Sequence, residues 1–209
     1  MPGTVTCPAV VVLMLWCALP ALTADAWATP LDRVEFESAS ERTGAVLSPG
    51  DRIQGDLVKP DGVGPFPAVI VLHGCAGMHD TTKQKLASDL VAWGYVILLV
   101  DSYATRRIDQ VCESGALATF FKRRADAYGA LLFLAGQTFV DPQRVAAVGF
   151  SAGGWVTLSA AEPNSFESFD PPSNFRFRAA AAFNPPCKQS TPRPGLPTLH
   201  LIGSPHDAT

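Results

Sequence analysis

The sequence predicts an α/β sandwich around a mostly parallel sheet, and three observations carry that expectation. Three runs are continuously apolar rather than alternating: Ala68 to Leu72 (AVIVL), Tyr95 to Val100 (YVILLV) and Val145 to Val148 (VAAV). That is the pattern of parallel strands covered on both faces. Segments with apolar residues at helical spacing lie between them, so strand and helix alternate along the chain. The third run passes straight into Gly149, Phe150, Ser151, Ala152 and Gly153 and then a further apolar stretch, which reads as a buried strand, a sharp turn and a helix start.

The chain has 209 residues, 47% of them hydrophobic and 17% charged, enough for one sizeable core and one domain. A net charge of −3, with the basic residues scattered, leaves no electrostatic footprint for nucleic acid. A small molecule is therefore the expected partner. No internal repeat or low-complexity tract interrupts the pattern, and no oligomeric state is assigned.

Residues 1–28 are expected to be a secretory signal peptide, and residues 29–209 the domain. Ala9 to Leu22 is almost wholly apolar, Pro20 breaks the run, and small residues at Ala24, Ala26 and Ala28 offer cleavage sites. The residues before Ala9 contain no Lys or Arg, so a retained anchor is the alternative, although the run is short for a membrane span. Trp16 before Cys17 does not fit a lipoprotein signal. An exported protein, with no membrane attachment after signal removal, is the expectation. The exported domain keeps Cys75, Cys112 and Cys187. Their spacing fits no zinc motif, and neither metal nor cofactor is implied. Cys112 and Cys187 both lie in expected loops while Cys75 follows a buried strand, so the pair Cys112–Cys187 is expected.

In chain order, Val34 to Phe36 and Arg52 to Val58 alternate as opening antiparallel strands, and Lys59-Pro60 and the Gly/Pro-rich residues Asp61 to Pro67 end them in a turn. The strand Ala68 to Leu72 follows and ends in His73-Gly74-Cys75-Ala76-Gly77. Thr82 to Trp93 is expected as a helix burying Leu86, Leu90 and Trp93, with Asp80 or Thr81 as cap and Gly94 as terminator. Tyr95 to Val100 ends at Asp101, and a loop carries Arg106, Arg107 and Cys112. The next helix should bury Leu117, Phe120, Phe121, Tyr128, Leu131, Leu132 and Ala135, leaving Lys122, Arg123 and Arg124 as a solvated face. Asp141-Pro142 turns into the strand before Gly149, and Ala152 to Ala161 forms the helix behind the turn. Pro163 to Pro197 is rich in Pro, Ser, Asn and Phe. Its Phe166, Phe169, Phe175 and Phe177 either line a pocket or lid or tuck down for burial. Ala179 to Phe183 and Thr198 to Ile202 are the last strands.

Reactive groups in such sheets gather at the carboxyl ends of strands, which brings forward the His73 loop, Asp101, Ser151 and Asp207. A serine hydroxyl is a poor nucleophile until a base takes its proton and donors await the developing oxyanion. The G-x-S-x-G turn suits this, because only glycines leave room for backbone on both sides of a strained serine. Ser151 is the candidate nucleophile. Asp101 is read as a strand-end cap or a tie to active-site loops. Arg106 and Arg107 are read as exposed loop residues or as a bidentate hold on a substrate carboxylate.

Four segments, PAVIVLHGCAGMHD, GYVILLVDSYATR, VDPQRVAAVGFSAGG and LIGSPHD, resemble the dienelactone hydrolase family of α/β-hydrolases over roughly Gly55 to Asp207. The resemblance implies an α/β-hydrolase fold with Ser151 as nucleophile, Asp207 orienting a histidine, and the backbone N–H groups of Cys75 and Ala152 as oxyanion hole. Many members of the family carry cysteine where this chain has Ser151, so an ester other than a dienelactone is equally compatible. The family's histidine follows one strand after the acid. His73, His79, His200 and His206 do not occupy that place, so the chain is expected to lack its last strand, its histidine loop and its final helix. An exported serine hydrolase of small esters or lactones is the first reading. A non-catalytic hydrolase-fold protein binding a small molecule or a protein partner is the second.

Overall fold

The structure is a computed structural model that describes residues 30–43, 45–113, 117–169, 175–186 and 192–202. The expected signal segment, Cys187, His206 and Asp207 lie outside the described residues.

The chain opens with β1 (Asp32–Glu37), a small hairpin of β2 (Glu41–Thr43) and β3 (Val46–Ser48), and β4 (Arg52–Val58). It continues through β5 (Phe66–Leu72), α1 (Asp80–Ala92), β6 (Val96–Asp101), α2 (Leu117–Ala135), β7 (Val140–Phe150), α3 (Ala152–Ala160), β8 (Ala179–Phe183) and β9 (Thr198–Leu201). Seven strands form one sheet in the order β1-β4-β6-β5-β7-β8-β9. The β1–β4 and β4–β6 pairs are antiparallel, and every pair from β6 to β9 is parallel.

The apolar runs take the expected place. Val69, Ile70, Val71 and Leu72 of β5 and Val96, Ile97, Leu98, Leu99 and Val100 of β6 are all buried. Their alternate side chains feed two cores: Ile70, Leu72, Leu98 and Val100 pack with α2 and α3, and Val69, Val71, Ile97 and Leu99 with α1. Asp141-Pro142 lies inside β7 rather than before it. The pairing with β5 jumps from Phe66↔Val140 to Ala68↔Val145, so the extra residues bulge out, and the Asp141 carboxylate caps the bulge by accepting the Gln143 N–H at 2.9 Å.

Two helical faces differ from expectation. Trp93 follows the end of α1 and is 70% exposed, and α1 buries Ala87 completely with Leu86 and Leu90 half-buried beside it. On α2 Tyr128 and Leu131 are buried as expected and Phe120, Leu132 and Ala135 are half-buried, but Phe121 is exposed and Arg123 and Asp126 are buried with Ala127, Ala130 and Leu134. Arg123 therefore points into the protein, where its guanidinium donates to the His73 carbonyl and lies 5.3 Å from the Tyr103 ring centroid. Arg124 is half-buried over the rings of Phe121 and Phe169. Lys122 alone of the three stays on the surface. In the Pro-rich stretch, Phe169 and Phe177 are buried in the larger core and Phe166 and Phe175 pack against it.

The disulfide also differs: Cys75 is bonded to Cys112. Cys75 lies past the end of β5, where the chain has left the sheet and comes back towards the surface, so the thiol expected to be sequestered is within reach of the loop after β6. The bond closes a loop of 37 residues, a constraint on the unfolded chain worth about 4 kcal/mol in chain-entropy terms.

Candidate active site

Ser151 stands between β7 and α3 with φ 49° and ψ −117°, a left-handed backbone that a serine adopts only when its surroundings impose it. They do so through close backbone approach. A Cβ on Gly149 would lie 2.1 Å from the Gly153 carbonyl oxygen, and one on Gly153 would lie 2.2 Å from Leu72 O and 2.4 Å from His73 O. The Ser151 N–H donates to Phe183 O at 2.8 Å, its carbonyl accepts the Trp155 N–H at 3.1 Å, and the residue is exposed. The turn is held from both sides, and Ser151 stands exposed at the carboxyl end of β7.

The loop after β5 passes directly alongside. A methyl group on Gly74 would meet Ser151 Cβ at 3.7 Å. Among the described residues, neither the Cys75 nor the Ala152 N–H has an intramolecular acceptor. Ala152 is the first residue of α3, where helix geometry leaves N–H groups unpaired. These are the two donors expected for an oxyanion.

His73 holds the loop. It is 2% exposed, its Nε2 accepts the Ser102 N–H at 3.3 Å, and Nδ1 lies 2.7 Å from Gly74 O. That pattern assigns the proton to Nδ1, which donates to Gly74 O. Burial, and then the Arg123 charge, push its pKa down to about 4, so the ring is neutral. With both nitrogens engaged, His73 is a structural group rather than a base. His79 is exposed at the start of α1, and His200 is exposed on β9.

Asp101 ties a loop. Burial opposes its ionisation, but the N–H groups of Ala104 and Tyr103, each 3.0 Å from Oδ1, hold its carboxyl below the usual range. A cavity of about 270 Å³ lies beside it, lined by His73, Ala76, Met78, Asp101 and Tyr103 among others. Ser151 is not among the residues lining this cavity, which borders the loop after β5 instead.

Arg106 is not available to a substrate carboxylate. Its Nε donates to Asp51 at 2.9 Å, one terminal nitrogen to Asp126 at 2.7 Å and Ser102 O at 2.8 Å, and the other to Asp126 at 2.8 Å and Ser38 Oγ at 3.4 Å. All five N–H donors of the guanidinium are taken. Asp126 is fully buried, so this is an internal ion pair that fixes the loop after β6 to α2. Arg107 is exposed, with φ 55°. Arg123 is the site-adjacent residue that the sequence reading missed; its spacing with Ala127, Ala130 and Leu134 was the available signal. Among the described residues no cluster of three or more His, Cys, Asp or Glu is arranged to hold a metal ion.

The profile of the dienelactone hydrolase family matches residues 53–175, more than half of the chain. The chain belongs to the dienelactone hydrolase family. Solved structures share the fold. A dienelactone hydrolase candidate from Klebsiella pneumoniae subsp. pneumoniae MGH 78578 matches with TM-score 0.53 and 18% identity over 81% of this chain and 72% of that one. Esterase Est22 matches with TM-score 0.51 and 19% identity over 78% of this chain and 46% of that one. DcsB, solved with its substrate analogue, matches with TM-score 0.51 and 20% identity over 75% and 46%. This family member thus spans less than half the length of the last two. No curated protein matches its sequence.

Proposed function

We propose that the protein is an exported serine hydrolase that cleaves a small carboxylic ester or lactone. The observation that carries the reading is the exposed, backbone-strained Ser151 with the unpaired N–H groups of Cys75 and Ala152 beside it. In this reading a histidine takes the Ser151 Oγ proton as Oγ attacks the acyl carbon. The two N–H groups receive the charge on the carbonyl oxygen. Collapse expels the alcohol, which takes the proton back, and water then releases the acid by the same steps. Asp207 orients the histidine. His73, engaged at both nitrogens, is not that histidine. Arg107 is the arginine that meets a substrate carboxylate. Export is supported by the apolar leader from Ala9 to Leu22 and by the Cys75–Cys112 disulfide, which suits an oxidising compartment.

A fluorophosphonate probe applied to the natural protein should label Ser151 covalently, and Ser151→Ala should abolish labelling. Labelling that persists in Ser151→Ala removes the assignment.

A further inference from the structure

The Cys75 N–H is useful as an oxyanion donor only if its peptide plane is fixed, and the loop that carries it is tied unevenly. Its first two residues are held firmly: Arg123 grips the His73 carbonyl, and the His73 ring joins Ser102 N–H to Gly74 O. Beyond Gly74 the loop turns back on itself through a long Gly77 N–H to Gly74 O contact of 3.4 Å, with Gly77 at φ +80°. Cys75 itself is tied elsewhere. Its carbonyl accepts the Val111 N–H at 3.0 Å, and its side chain is bonded to Cys112. Both ties end in the segment after β6. That segment is anchored in turn, because Ile108 N–H donates to Tyr103 O at 3.2 Å and Arg106 is locked to the buried Asp126.

We propose that Cys112 is a positioning residue for the hydrolytic reaction: its disulfide to Cys75 holds the Cys75 N–H at the oxyanion site. The inference rests on the hydrolase reading above. Two atoms beyond the Cys75 Cα, at Sγ, the chain is covalently fixed to an anchored segment, so rotation about the Gly74–Cys75 backbone would have to drag Cys112 with it. Without the bond the peptide keeps only its carbonyl end tied, by the His73 bond to Gly74 O, and Cys75 itself keeps one hydrogen bond, from Val111, in a loop containing three glycine or alanine neighbours, Gly74, Ala76 and Gly77. Oxyanion donors must hold their place to within about 0.5 Å, and removing one outright lowers kcat about 10²–10³-fold. A loosened donor should fall short of that limit.

The test uses the natural protein and p-nitrophenyl acetate, well below the melting temperature. Cys112→Ala should lower kcat at least about tenfold with KM little changed. Cys75→Ala keeps the backbone N–H and should lose the same factor. The double variant should lose no more than either single one, because the two residues act through one bond. Selective reduction of the wild type guards against a variant that fails to fold. A dithiol transfers two electrons and two protons to the disulfide, leaving two thiols and a cyclic oxidised reagent, and alkylation followed by mass measurement counts those thiols. Cys112 is exposed to the reagent. The reduced, folded enzyme should match Cys112→Ala. A merely structural role is separated by comparing the ester with its thionoester, whose sulfur accepts hydrogen bonds weakly. Loss of a positioned donor slows the ester selectively, so the ester-to-thionoester rate ratio should fall by about the same tenfold. If kcat in Cys112→Ala and in the reduced wild type stays within twofold of the oxidised enzyme, or the ratio does not move, the proposal is overturned while the hydrolase reading stands. Turnover that survives Ser151→Ala would instead remove the hydrolase reading on which it rests.

Discussion

Adding one methyl group at Gly153 tests whether the turn at Ser151 and the loop after β5 are packed backbone against backbone. The Cβ of Gly153→Ala would fall 2.2 Å from Leu72 O and 2.4 Å from His73 O. A carbon and a carbonyl oxygen need ~3.3 Å, so the two segments must separate by about 1 Å. Neither obstacle is a side chain that can rotate away, and Leu72 sits in a central strand, so the strain belongs at the upper end of the overpacking range, about 3 kcal/mol. Alanine gains about 1 kcal/mol over glycine inside a helix. The net is a loss of about 2 kcal/mol, or roughly 4–8 °C of melting temperature for a domain of this size. The separation also moves Ala152 away from Cys75, and a displacement of about 1 Å in reacting geometry lowers kcat about 10²-fold. Gly154→Ala is the internal control. Its Cβ would meet its neighbours at 3.2 to 3.4 Å, so it shares the helical gain with only slight crowding and should stay within about 1 kcal/mol of wild type. Thermal melts and ester kinetics on both variants decide the matter. A Gly153→Ala protein that melts no lower than Gly154→Ala would refute the reasoning.

Asp126→Asn leaves the Arg106 charge buried without its full partner and should destabilise by about 3–5 kcal/mol in urea titration, whereas the paired change Arg106→Met with Asp126→Leu should recover much of it. Equal losses in the single and paired variants would count against the ion-pair account. His73 has a folded pKa of about 4 against 6.5 unfolded, so between those values the unfolded chain takes up a proton and the fold does not. Its contribution, about 3 kcal/mol, is therefore present above pH 6.5 and lost on acidification towards pH 4, and His73→Asn should flatten that slope. Arg123→Met should raise the His73 pKa in an NMR titration yet leave it below 6.5, because burial is the larger cause; an unchanged value would exclude the Arg123 charge as a contributor.

The strands at β5, β6 and β7 were legible because burial on both faces writes an unbroken apolar run, and the turn at Ser151 because its glycines are dictated by backbone clearance. The β2–β3 hairpin was not, since its residues are few and those of β3 are wholly exposed, with no alternation to read. Arg123 escaped notice because its charge outweighed its spacing. A charge argues for solvent only when no polar group awaits it inside, and here the His73 carbonyl and the Tyr103 ring do. Arg106 is the converse: a loop arginine looks like a ligand for anions until two carboxylates of the chain itself, distant in sequence, converge on it. The Cys75–Cys112 pairing depends on the path of a loop, which no periodicity encodes.

The buried Arg123 charge also bears on the quality of the N–H groups proposed as oxyanion donors. The Cys75 N–H belongs to the same peptide as Gly74 O, and that oxygen accepts the His73 Nδ1–H at 2.7 Å. A peptide whose carbonyl is hydrogen-bonded is a stronger donor at its nitrogen, by about 10–30% of the bond. The relay works only while His73 is neutral, because Nε2 must accept the Ser102 N–H at the same time. A protonated ring would donate at both nitrogens and set Nε2 against that N–H. The ionised Asp101 nearby favours protonation, and burial and the Arg123 guanidinium oppose it and prevail. The Asp101 carboxylate is meanwhile occupied by the Tyr103 and Ala104 N–H groups rather than by the imidazole. Burial first, and the Arg123 guanidinium on α2 in support of it, thus keep the imidazole in the one protonation state that links Ser102, His73 and the Gly74–Cys75 peptide next to Ser151.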